Sequence, residues 1–204
     1  MRNYDLKWKK SNPLTTLISI LNNDLSDVRE WLFEVLEKLP EDASALTAYI
    51  VLTGLRIVEA CNSTKLIAKL SAENRVCEYL DSELMMLNHF KYPKLFLRNS
   101  KNVYISFISQ DLLETILQYR PNLNDDDIAS RLRKRGFNVR LKHLGKLHAT
   151  ILREHVPSEV IDLLHGRIGS SIFLRFYYKP FLQEIREKVM KALASLEREI
   201  LDLL

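Results

Sequence analysis

The stretch from Arg140 to Tyr178 reads RLKHLGKLHATILREHVPSEVIDLLHGRIGSSIFLRFYY. Apolar residues recur in it at helical spacing, which predicts one helix over about residues 141–155 and a shorter helix between Pro157 and Gly166. A third apolar and aromatic segment, SIFLRFYY, ends the stretch. Because proline often opens a helix and glycine often ends one, this stretch favours a mainly helical fold of short, closely connected segments.

The same stretch begins inside a basic run and ends with two tyrosines. Residues 131–153 contain eight cations and no Asp or Glu. Cations that can bind a phosphate, followed by the hydroxyls of Tyr177 and Tyr178, indicate phosphoryl-transfer chemistry on nucleic acid. A solvated basic helix followed by core aromatics would have the same composition. The cations of the run are Arg131, Arg133, Lys134, Arg135, Arg140, Lys142, Lys146 and Arg153.

The composition of the whole chain is that of an ordinary globular protein. With 204 residues, 47% of them hydrophobic, the chain can form one sizeable domain. The net charge of +4 is small, so the uneven placing of the cations matters more than their total. Cys61 and Cys77 form neither a disulfide framework nor a metal-binding pattern, which favours a reducing cytoplasm. No apolar run is long enough to span a bilayer, and the first residues lack the apolar core of a signal peptide.

The pattern of apolar residues divides the chain into a lead-in (1–23), one domain (24–180) and a C-terminal amphipathic helix (181–204) that docks on its own domain or on a neighbouring chain. The central domain is predicted to be mainly α-helical. Its small β element is a hairpin at KLFLRNSKNVYISF, residues 94–107, where β-branched and aromatic residues alternate. The predicted helices lie near 28–39, 41–61 with a break near Gly54, 63–70, 74–89, 110–119 and, behind an Asn124 cap, 125–135.

Two cations stand out beyond the basic run. Arg56 is a lone charge between Leu55 and Ile57 in the most apolar part of the chain. A buried guanidinium is costly unless it is paired or faces a pocket, so Arg56 either pairs structurally with an acid such as Glu59 or belongs to a site. Lys101 lies beside the predicted hairpin turn, where a lysine is usually only solvated.

Four segments of the chain resemble, in the right order, the signature segments of the tyrosine recombinases, or phage-type integrases. TGLR (53–56) with VEA (58–60) is similar to the first box, and LKHLGKLHAT (141–150) to the second. VIDLLHGR (160–167) resembles the leucine-leucine-glycine-histidine segment in the Gly-Arg form of archaeal virus and plasmid integrases, and SIFLRFY leads to a tyrosine. The match covers about residues 40–180 and implies that family's catalytic-domain fold. The family's amino-terminal DNA-clamping domain has no counterpart, so a catalytic fragment is expected.

The resemblance implies roles for the two cations that lie before the basic run. Arg56 is similar to the first-box arginine, which binds non-bridging oxygens of the scissile phosphate, and this role would explain a cation in an apolar segment. Lys101 resembles the hairpin lysine that protonates the leaving 5′ oxygen. Arg98 lies close enough in sequence to be the alternative.

The resemblance also implies roles for residues of the later segments. Lys142 takes a position where many members have histidine and the archaeal branch can have lysine. Arg167 takes the late His/Trp position. Tyr177 is then the implied nucleophile, and Tyr178 is the alternative.

One position departs from the family pattern. The second-box arginine would fall at position 145, where this sequence has Gly145 inside a predicted helix. A glycine there costs about 1 kcal/mol relative to alanine, so helix propensity does not favour it either. The neighbouring Lys146 is expected on another face, about 100° around the helix. We therefore expect an engineered or degenerate position and impaired cleavage.

The chemistry that the resemblance implies needs no metal and no cofactor. Tyr177 attacks a DNA phosphodiester to form a 3′-phosphotyrosine, and arginines stabilise the charge on the phosphorane oxygens. The implied partner is a double-stranded DNA attachment site, bound by a homotetramer that exchanges carboxy-terminal segments in the cytoplasm of a host cell. The residues expected to bind the DNA backbone are Arg131, Arg133, Lys134, Arg135, Arg140 and Lys146.

Three other interpretations stay open on the sequence. A type IB topoisomerase uses the same nucleophile but relaxes DNA alone, and the short chain and the Gly-Arg segment argue against it. A helical DNA-binding protein with a decayed active site would explain Gly145. It would not explain the presence of Arg56, Lys101, Arg167 and Tyr177. A helical interaction module without a nucleic-acid role would bind DNA either not at all or without sensitivity to salt.

Overall fold

A computed structural model describes residues 25–98, 101–167 and 181–204, apart from the side chains of Arg98 and Lys101. Over these residues the fold is mainly helical, as predicted, and the strands form a small antiparallel sheet and a short hairpin. The helices are α1 (Leu25–Lys38), α2 (Glu41–Thr53), α3 (Ile57–Ala72), α4 (Pro93–Phe96), α5 (Gln110–Tyr119), α6 (Asp125–Lys134), α7 (Leu141–Arg153), α8 (Ser158–Leu164) and α9 (Leu182–Leu201). The strands are β1 (Leu80–Asp81), β2 (Met86–Asn88), β3 (Leu97–Arg98), β4 (Lys101–Asn102) and β5 (Ile105–Phe107).

Helix α2 lies at the centre of the described fold. Every residue from Ala43 to Thr53 is buried. A helix that is apolar on all sides needs neighbours on all sides, and α2 packs against α1, α3, α5, α7 and α9. The hydroxyl of Thr53 donates to the carbonyl of Tyr49 at 2.6 Å, so this polar group is satisfied within the helix. The predicted buried central helix is confirmed.

The predicted break near Gly54 is confirmed as well. Helix α2 ends there because Gly54 has a φ of +69°, a conformation that is costly for residues with a Cβ. Its N–H donates to the carbonyl of Ile50 at 3.0 Å and so caps the helix. The chain runs extended through Arg56, and α3 starts directly after it. Because α3 is continuous, the separate helix predicted over residues 63–70 is part of it.

None of the described helices is long and apolar enough to cross a membrane by itself. Helices α2 and α3 satisfy the length and composition of a span only as a pair, and the pair is bent by 112° at the break.

The helix predicted over residues 74–89 is wrong. This segment forms two short 3-10 turns and strands β1 and β2. Strand β2 pairs with β1 on one side and β5 on the other, with Leu87 opposite Leu80 and Ser106. Met85, at a φ of +43°, turns the chain between β1 and β2. Some of these apolar residues belong to β2, which is buried along its whole length. The pairing of β2 with β5 determines the structure here despite the helical spacing of the sequence.

The β-hairpin predicted over residues 94–107 is confirmed in part. Strands β3 and β4 pair, with Leu97 opposite Asn102, and the predicted turn between them lies outside the described residues. The residues before the hairpin, Pro93–Phe96, form the short helix α4 instead of a strand. The residues after it join β2 as β5. One alternating pattern therefore serves two separate strand pairings, and the hairpin is shorter than expected.

The starts of α5 and α6 follow local sequence signals. The Ser109 hydroxyl accepts a hydrogen bond from the N–H of Leu112 at 3.0 Å and so caps α5. Asn124 precedes α6, and its N–H donates to the carboxylate of Asp127 at 2.9 Å, one half of a capping box. Acids occupy the first turn of α6 and bases the last, which complements the helix dipole. Both predicted helices are confirmed.

Helix α9 packs on its own chain in this structure. Its apolar face is buried against α2, α7 and β5. An ion pair joins Glu199 to Arg29 of α1 at 2.6 Å, and the hydroxyl of Tyr119 donates to the carbonyl of Leu204 at 2.7 Å. The amphipathic helix predicted over residues 181–204 is therefore confirmed as a helix, while its exchange between neighbouring chains stays a prediction.

Candidate active site

A cavity of about 630 Å³ opens where three segments of the described fold meet. The first segment is the turn between α2 and α3, the second is the outer face of α7, and the third is the turn that follows α8. Several cations converge on this volume, which makes it suited to an anion. The cations on its walls are Arg56, Lys142, Lys146 and Arg167.

Arg56 is held between an acid and a backbone carbonyl. Its Nη1 donates to one oxygen of Glu59 at 2.7 Å, and its backbone N–H donates to the other at 3.1 Å. Its Nη2 donates to the carbonyl of His165 at 3.3 Å. The side chain of Glu59 is 1% exposed, whereas that of Arg56 is 39% exposed. Arg56 therefore pairs with Glu59 and also lines the cavity, and its role in a site stays a prediction.

Gly54 brings the turn that carries Arg56 against α7. A Cβ at Gly54 would lie 2.5 Å from Nδ1 of His148, closer than non-bonded atoms approach each other. The ring of His148 therefore packs directly on the backbone of this turn. A larger residue at Gly54 would push α7 and the turn apart and would change the width of the cavity.

One side of α7 faces the cavity. Lys142 and Lys146 are one helical turn apart, and Ala149 and Thr150 extend the same wall. Lys146 follows Gly145 on this helix, about 100° around it as expected, and its exposed side chain also lines the cavity. The cavity is wider than one row of side chains, so residues about 100° apart around the helix both reach it.

Gly145 leaves open space on this wall. Among the described residues outside its own helix, the nearest atom to a Cβ built at Gly145 is the carbonyl oxygen of Gly54, at 3.9 Å. That distance is an ordinary van der Waals contact. A side chain at this position can therefore extend into the cavity towards Arg56 without disturbing the packing of α7.

Arg167 is presented by the turn that ends α8. The N–H of Gly166, which has a φ of +71°, donates to the carbonyl of Leu163 at 3.1 Å. The N–H of Arg167 donates to the carbonyl of Asp162 at 2.7 Å, which completes a Schellman motif. A Cβ on Gly166 would lie 1.8 Å from the carbonyl oxygen of Asn102, so the turn packs on the backbone of β4. The Arg167 side chain is 63% exposed and forms a 3.5 Å ion pair with Asp162.

Two histidines meet beside these cations. Nδ1 of His148 lies 3.2 Å from Nε2 of His165, within hydrogen-bond distance. Burial, with a smaller contribution from the nearby His165, lowers the pKa of His148 to about 3. Burial also lowers the pKa of His165 to about 4, with smaller effects from the charges of Arg167 and Arg56. Both rings are therefore neutral near pH 7, and one ring donates to the other.

Some predicted site residues lie outside the described part of the chain. Tyr177 and Tyr178 fall there with the rest of the SIFLRFYY segment, and so does the lead-in over residues 1–23. Lys101 and Arg98 are described by their backbone alone, opposite each other in the hairpin. The hairpin backbone reaches the turn that carries Arg167, so the predicted lysine belongs to an element that adjoins the cavity.

The cations of the predicted DNA-binding run lie in different surroundings in the fold. Arg131 forms an ion pair with Asp42, with 2.5 Å between Nη1 and Oδ1. Arg140 lines a separate cavity of about 310 Å³ whose walls also carry three carboxylates. The positive charge of these two arginines is thus partly offset by neighbouring acids. Three members of the run are exposed at the end of α6: Arg133, Lys134 and Arg135.

The sequence reasoning did not single out His148 or His165. The two are separated by 17 positions and lie on different helical segments, so no local pattern connects them. The available signal was their place in the two segments, 141–150 and 160–167, that also carry the predicted cations. A histidine within each of these segments was a candidate contact once the segments were predicted to share a site.

Comparison with known proteins agrees with the resemblance. A family model described as archaeal phage integrase matches residues 20–192, which include the cavity and both histidines. No curated protein and no solved structure matches the chain. Because the matched residues make up most of the 204-residue sequence, the chain belongs to the archaeal phage integrase family.

Proposed function

We propose that this chain is the catalytic domain of a site-specific DNA recombinase that cleaves and rejoins DNA through a 3′-phosphotyrosine at Tyr177. Membership of the integrase family supports an integrase role with DNA as the partner. The observation that carries the proposal is the convergence of Arg56, Lys142 and Arg167 on one cavity. These residues come from three separate segments, and their charges surround a volume that can hold a phosphodiester group.

The arginines of the cavity would bind the scissile phosphate. A guanidinium keeps its charge and presents a planar fork that binds two oxygens at once. Arg56 is preorganised for this role by Glu59, whereas Arg167 would exchange its exposed contact with Asp162 for the phosphate. Lys142 would add a third charge. Negative charge grows on the phosphorane oxygens in the transition state, so donors already in place lower the barrier.

Tyr177 would supply the nucleophile. A tyrosine hydroxyl has a pKa of about 10, so a neighbouring group must accept its proton. Attack forms a bond between the tyrosine oxygen and phosphorus and breaks the bond to the 5′ oxygen, which takes a proton from Lys101. The phosphotyrosine conserves the bond energy, and the 5′ hydroxyl reverses the reaction on rejoining. Tyr178 is the alternative nucleophile, and Arg98 is the alternative hairpin residue.

The place of the β3–β4 hairpin supports a role for Lys101. The carbonyl of Asn102 meets the backbone of Gly166, the residue before Arg167. Lys101 precedes Asn102 in β4, so its backbone lies one residue from this contact. A lysine at this place would protonate a leaving group on a phosphate that Arg167 binds.

Gly145 is expected to weaken cleavage and to leave folding unchanged. Loss of one preorganised donor costs about 3–4 kcal/mol in the barrier, or about 10²–10³ in rate. The open space at Gly145 would accept an arginine side chain on the same wall as Lys142. We therefore expect Gly145→Arg to raise the cleavage rate about a hundredfold or more.

The bound DNA is proposed to be a double-stranded attachment site that holds four copies of the chain. The exposed cations at the end of α6 would contact backbone phosphates around the site. Exchange of α9 between neighbours would first break the ion pair between Arg29 and Glu199. Sedimentation with and without DNA would count the copies, and a monomer on every DNA would contradict the tetramer.

Gly145 itself favours a second candidate function, a DNA-binding domain that does not cleave. The cavity without its expected arginine would bind a phosphate but would stabilise the transition state poorly. Both candidates predict DNA binding that weakens steeply with salt, because both rely on phosphate contacts. Formation of a covalent protein–DNA adduct separates the two.

The decisive experiment is an adduct assay on nicked duplex DNA, in which the short cleaved fragment diffuses away and traps the intermediate. A pool of sequences replaces the unknown target site. The unsubstituted chain and Gly145→Arg are compared, and Tyr177→Phe and Tyr178→Phe are each combined with Gly145→Arg as matched variants. Adducts are resolved on a denaturing gel.

An adduct that increases in Gly145→Arg, disappears with Tyr177→Phe and persists with Tyr178→Phe supports the recombinase. The opposite dependence on the two tyrosines would move the nucleophile to Tyr178. If salt-sensitive DNA binding is intact and no variant forms an adduct, the recombinase proposal is contradicted and the DNA-binding candidate is supported.

A further inference from the structure

We propose that His148 and His165 are a positioning pair, whose hydrogen bond holds the cation-bearing segments of the cavity in register and thereby sets the affinity of the cavity for an anion. The inference rests on the proposed function in taking the cavity as a phosphate site. Neither histidine is assigned a role in bond making or breaking, because the pair acts through Arg56 and Arg167.

His148 lies between the lysine-bearing helix α7 and the turn that carries Arg56. Its ring is 1% exposed and lies on α7, the helix that carries Lys142 and Lys146. The ring packs on the backbone of Gly54, two residues before Arg56. His148 therefore joins the lysine-bearing wall of the cavity to the turn that carries its first arginine.

His165 makes two contacts at the cavity, one through its side chain and one through its backbone carbonyl. Its side chain bonds to His148, and its backbone carbonyl accepts a hydrogen bond from Nη2 of Arg56 at 3.3 Å. Two residues later, the Schellman motif fixes the backbone of Arg167. A shift of His165 would therefore move an acceptor of Arg56 and the base of Arg167 together.

The hydrogen bond between the two rings depends on their protonation. Two facing imidazole nitrogens form a hydrogen bond only while one carries a hydrogen and the other does not. The charged groups near His165 are Arg56, Arg167, Asp162 and Glu59, and the titratable group that faces His148 is His165. The burial of both rings and the two arginines keep this pair neutral, so the bond is present near neutral pH.

The hydrogen bond of the pair is expected to affect the orientation of the two rings more than the stability of the fold. Replacing both partners of a buried neutral hydrogen bond by apolar groups of similar shape changes stability little. We therefore expect the core to form when both rings are replaced by apolar side chains. Its specific consequence is orientation, because a hydrogen bond fixes the angle and distance between two rings more narrowly than apolar packing does.

The test uses the full chain and sulfate, a tetrahedral dianion whose charge does not change near neutral pH. The amide of asparagine can replace Nδ1, and the amide of glutamine can replace Nε2, so His148→Asn and His165→Gln keep a facing polar group. His148→Phe and His165→Leu remove it. The exposed His155, changed to phenylalanine, is the matched control. Sulfate titrations follow the ¹⁵N–¹H signals of the cavity residues, and circular dichroism verifies folding.

We expect sulfate binding to weaken about tenfold in His148→Phe and in His165→Leu, the effect of losing about one neutral hydrogen bond. The two amide variants and His155→Phe should remain within about twofold of the unsubstituted chain. Rescue by the amide variants is the result that a general packing defect would not produce.

Normal sulfate affinity in folded His148→Phe and His165→Leu would overturn the positioning pair and leave the proposed function standing. If the unsubstituted chain shows no sulfate-dependent shifts at the cavity, the phosphate site fails, and the inference fails with it. Should His148→Phe not fold, His165→Leu decides, because that ring lies nearer the surface.

Discussion

Two buried histidine environments in this protein differ in what they connect. At His89, Nδ1 meets the hydroxyl of Tyr79 at 2.6 Å, and Nε2 meets the hydroxyl of Ser106 at 2.8 Å. The network continues from Tyr79 to Ser63 at 2.8 Å and on to Tyr49 at 2.6 Å. It ties the small sheet to helices α2 and α3, and none of its residues lines the cavity of the candidate site.

His165 lines that cavity, and its partner His148 packs on Gly54, which also lines it. Burial lowers the pKa of His148 to about 3, the same value as for His89, so the ionisation state does not distinguish the two environments. The difference is in the elements that each histidine joins. We infer that the His89 network mainly supports the fold, whereas the pair mainly supports the site.

The largest expected effect is a loss of stability at acid pH, to which the histidines of both environments should contribute. The folded-state pKa values of His89, His148 and His165 all lie below 6.5, so the unfolded chain binds more protons as pH falls below 6.5. Stability is therefore lost as pH decreases from about 6.5 towards 4, by about 1.4 kcal/mol per pH unit for each histidine. Urea unfolding between pH 7.5 and 5 measures the slope.

Replacing one of these histidines by phenylalanine should lower that slope by about a third, whether the change is at His89 or at His148. His155→Phe, the same substitution at an exposed histidine, is the matched control. A stability that does not change between pH 6.5 and 5 would show that the three buried histidines are not held neutral in the fold.

The next largest effect is expected for His89→Phe. The change leaves the hydroxyl of Ser106 without this partner and removes one partner of Tyr79. Unsatisfied buried groups cost about 1–3 kcal/mol each, so we expect the free energy of unfolding at pH 7.5 to fall by about 2–4 kcal/mol. Sulfate affinity of the remaining folded protein should stay within about twofold. A weakened sulfate site would contradict the division between fold and site.

His148→Phe should weaken sulfate binding more than it lowers stability. Phenylalanine fills a similar volume, and Nε2 of the part-buried His165 loses this partner, so the expected loss of stability is about 1 kcal/mol, the low end of the range for one unsatisfied group. The expected loss of sulfate affinity is the larger effect, about tenfold. Unfolding and sulfate binding measured on the same sample compare the two directly. A stability loss as large as that of His89→Phe, with unchanged affinity, would make this pair a second scaffold network.

The smallest effect on stability is expected for Lys146→Met, an exposed change on the cavity wall. The free energy of unfolding should change by no more than about 0.5 kcal/mol. If Lys146 contacts a DNA phosphate, the slope of log K against log salt should become less steep by about 0.9. Lys69→Met, an exposed lysine of α3, is the control and should leave the slope unchanged. Equal slopes in both variants would remove Lys146 from the DNA interface.

The sequence predicts the fold best where neighbouring residues carry the signal. Asn124 and Asp127 mark the start of α6, and Gly54 marks the end of α2. Local spacing fails over residues 74–89, because the pairing of β2 with β5 determines that segment. A strand partner supplied by a later part of the chain is not visible in a helical or alternating pattern of one segment.

The candidate site was predictable in its members but not in its geometry. The order of the family-like segments led to Arg56, Lys142 and Arg167, and the structure brings all three to one cavity. The order of the segments did not indicate that Lys146 also lines the cavity, and it gave no sign of the contact that His148 makes. Both features depend on how several helices pack, which sets the width of the cavity and the contacts beneath it.

By itself, the sequence determined the helix caps, the basic run and the chemical types available to the site, because these depend on residues within a turn or two of one another. Tertiary structure alone decided that Arg131 lies against Asp42, that His148 meets His165, and that Lys146 shares the cavity with the predicted cations. Those contacts join separate helices, and their distances are set by the burial of α2 among its neighbours, which involves the whole core at once.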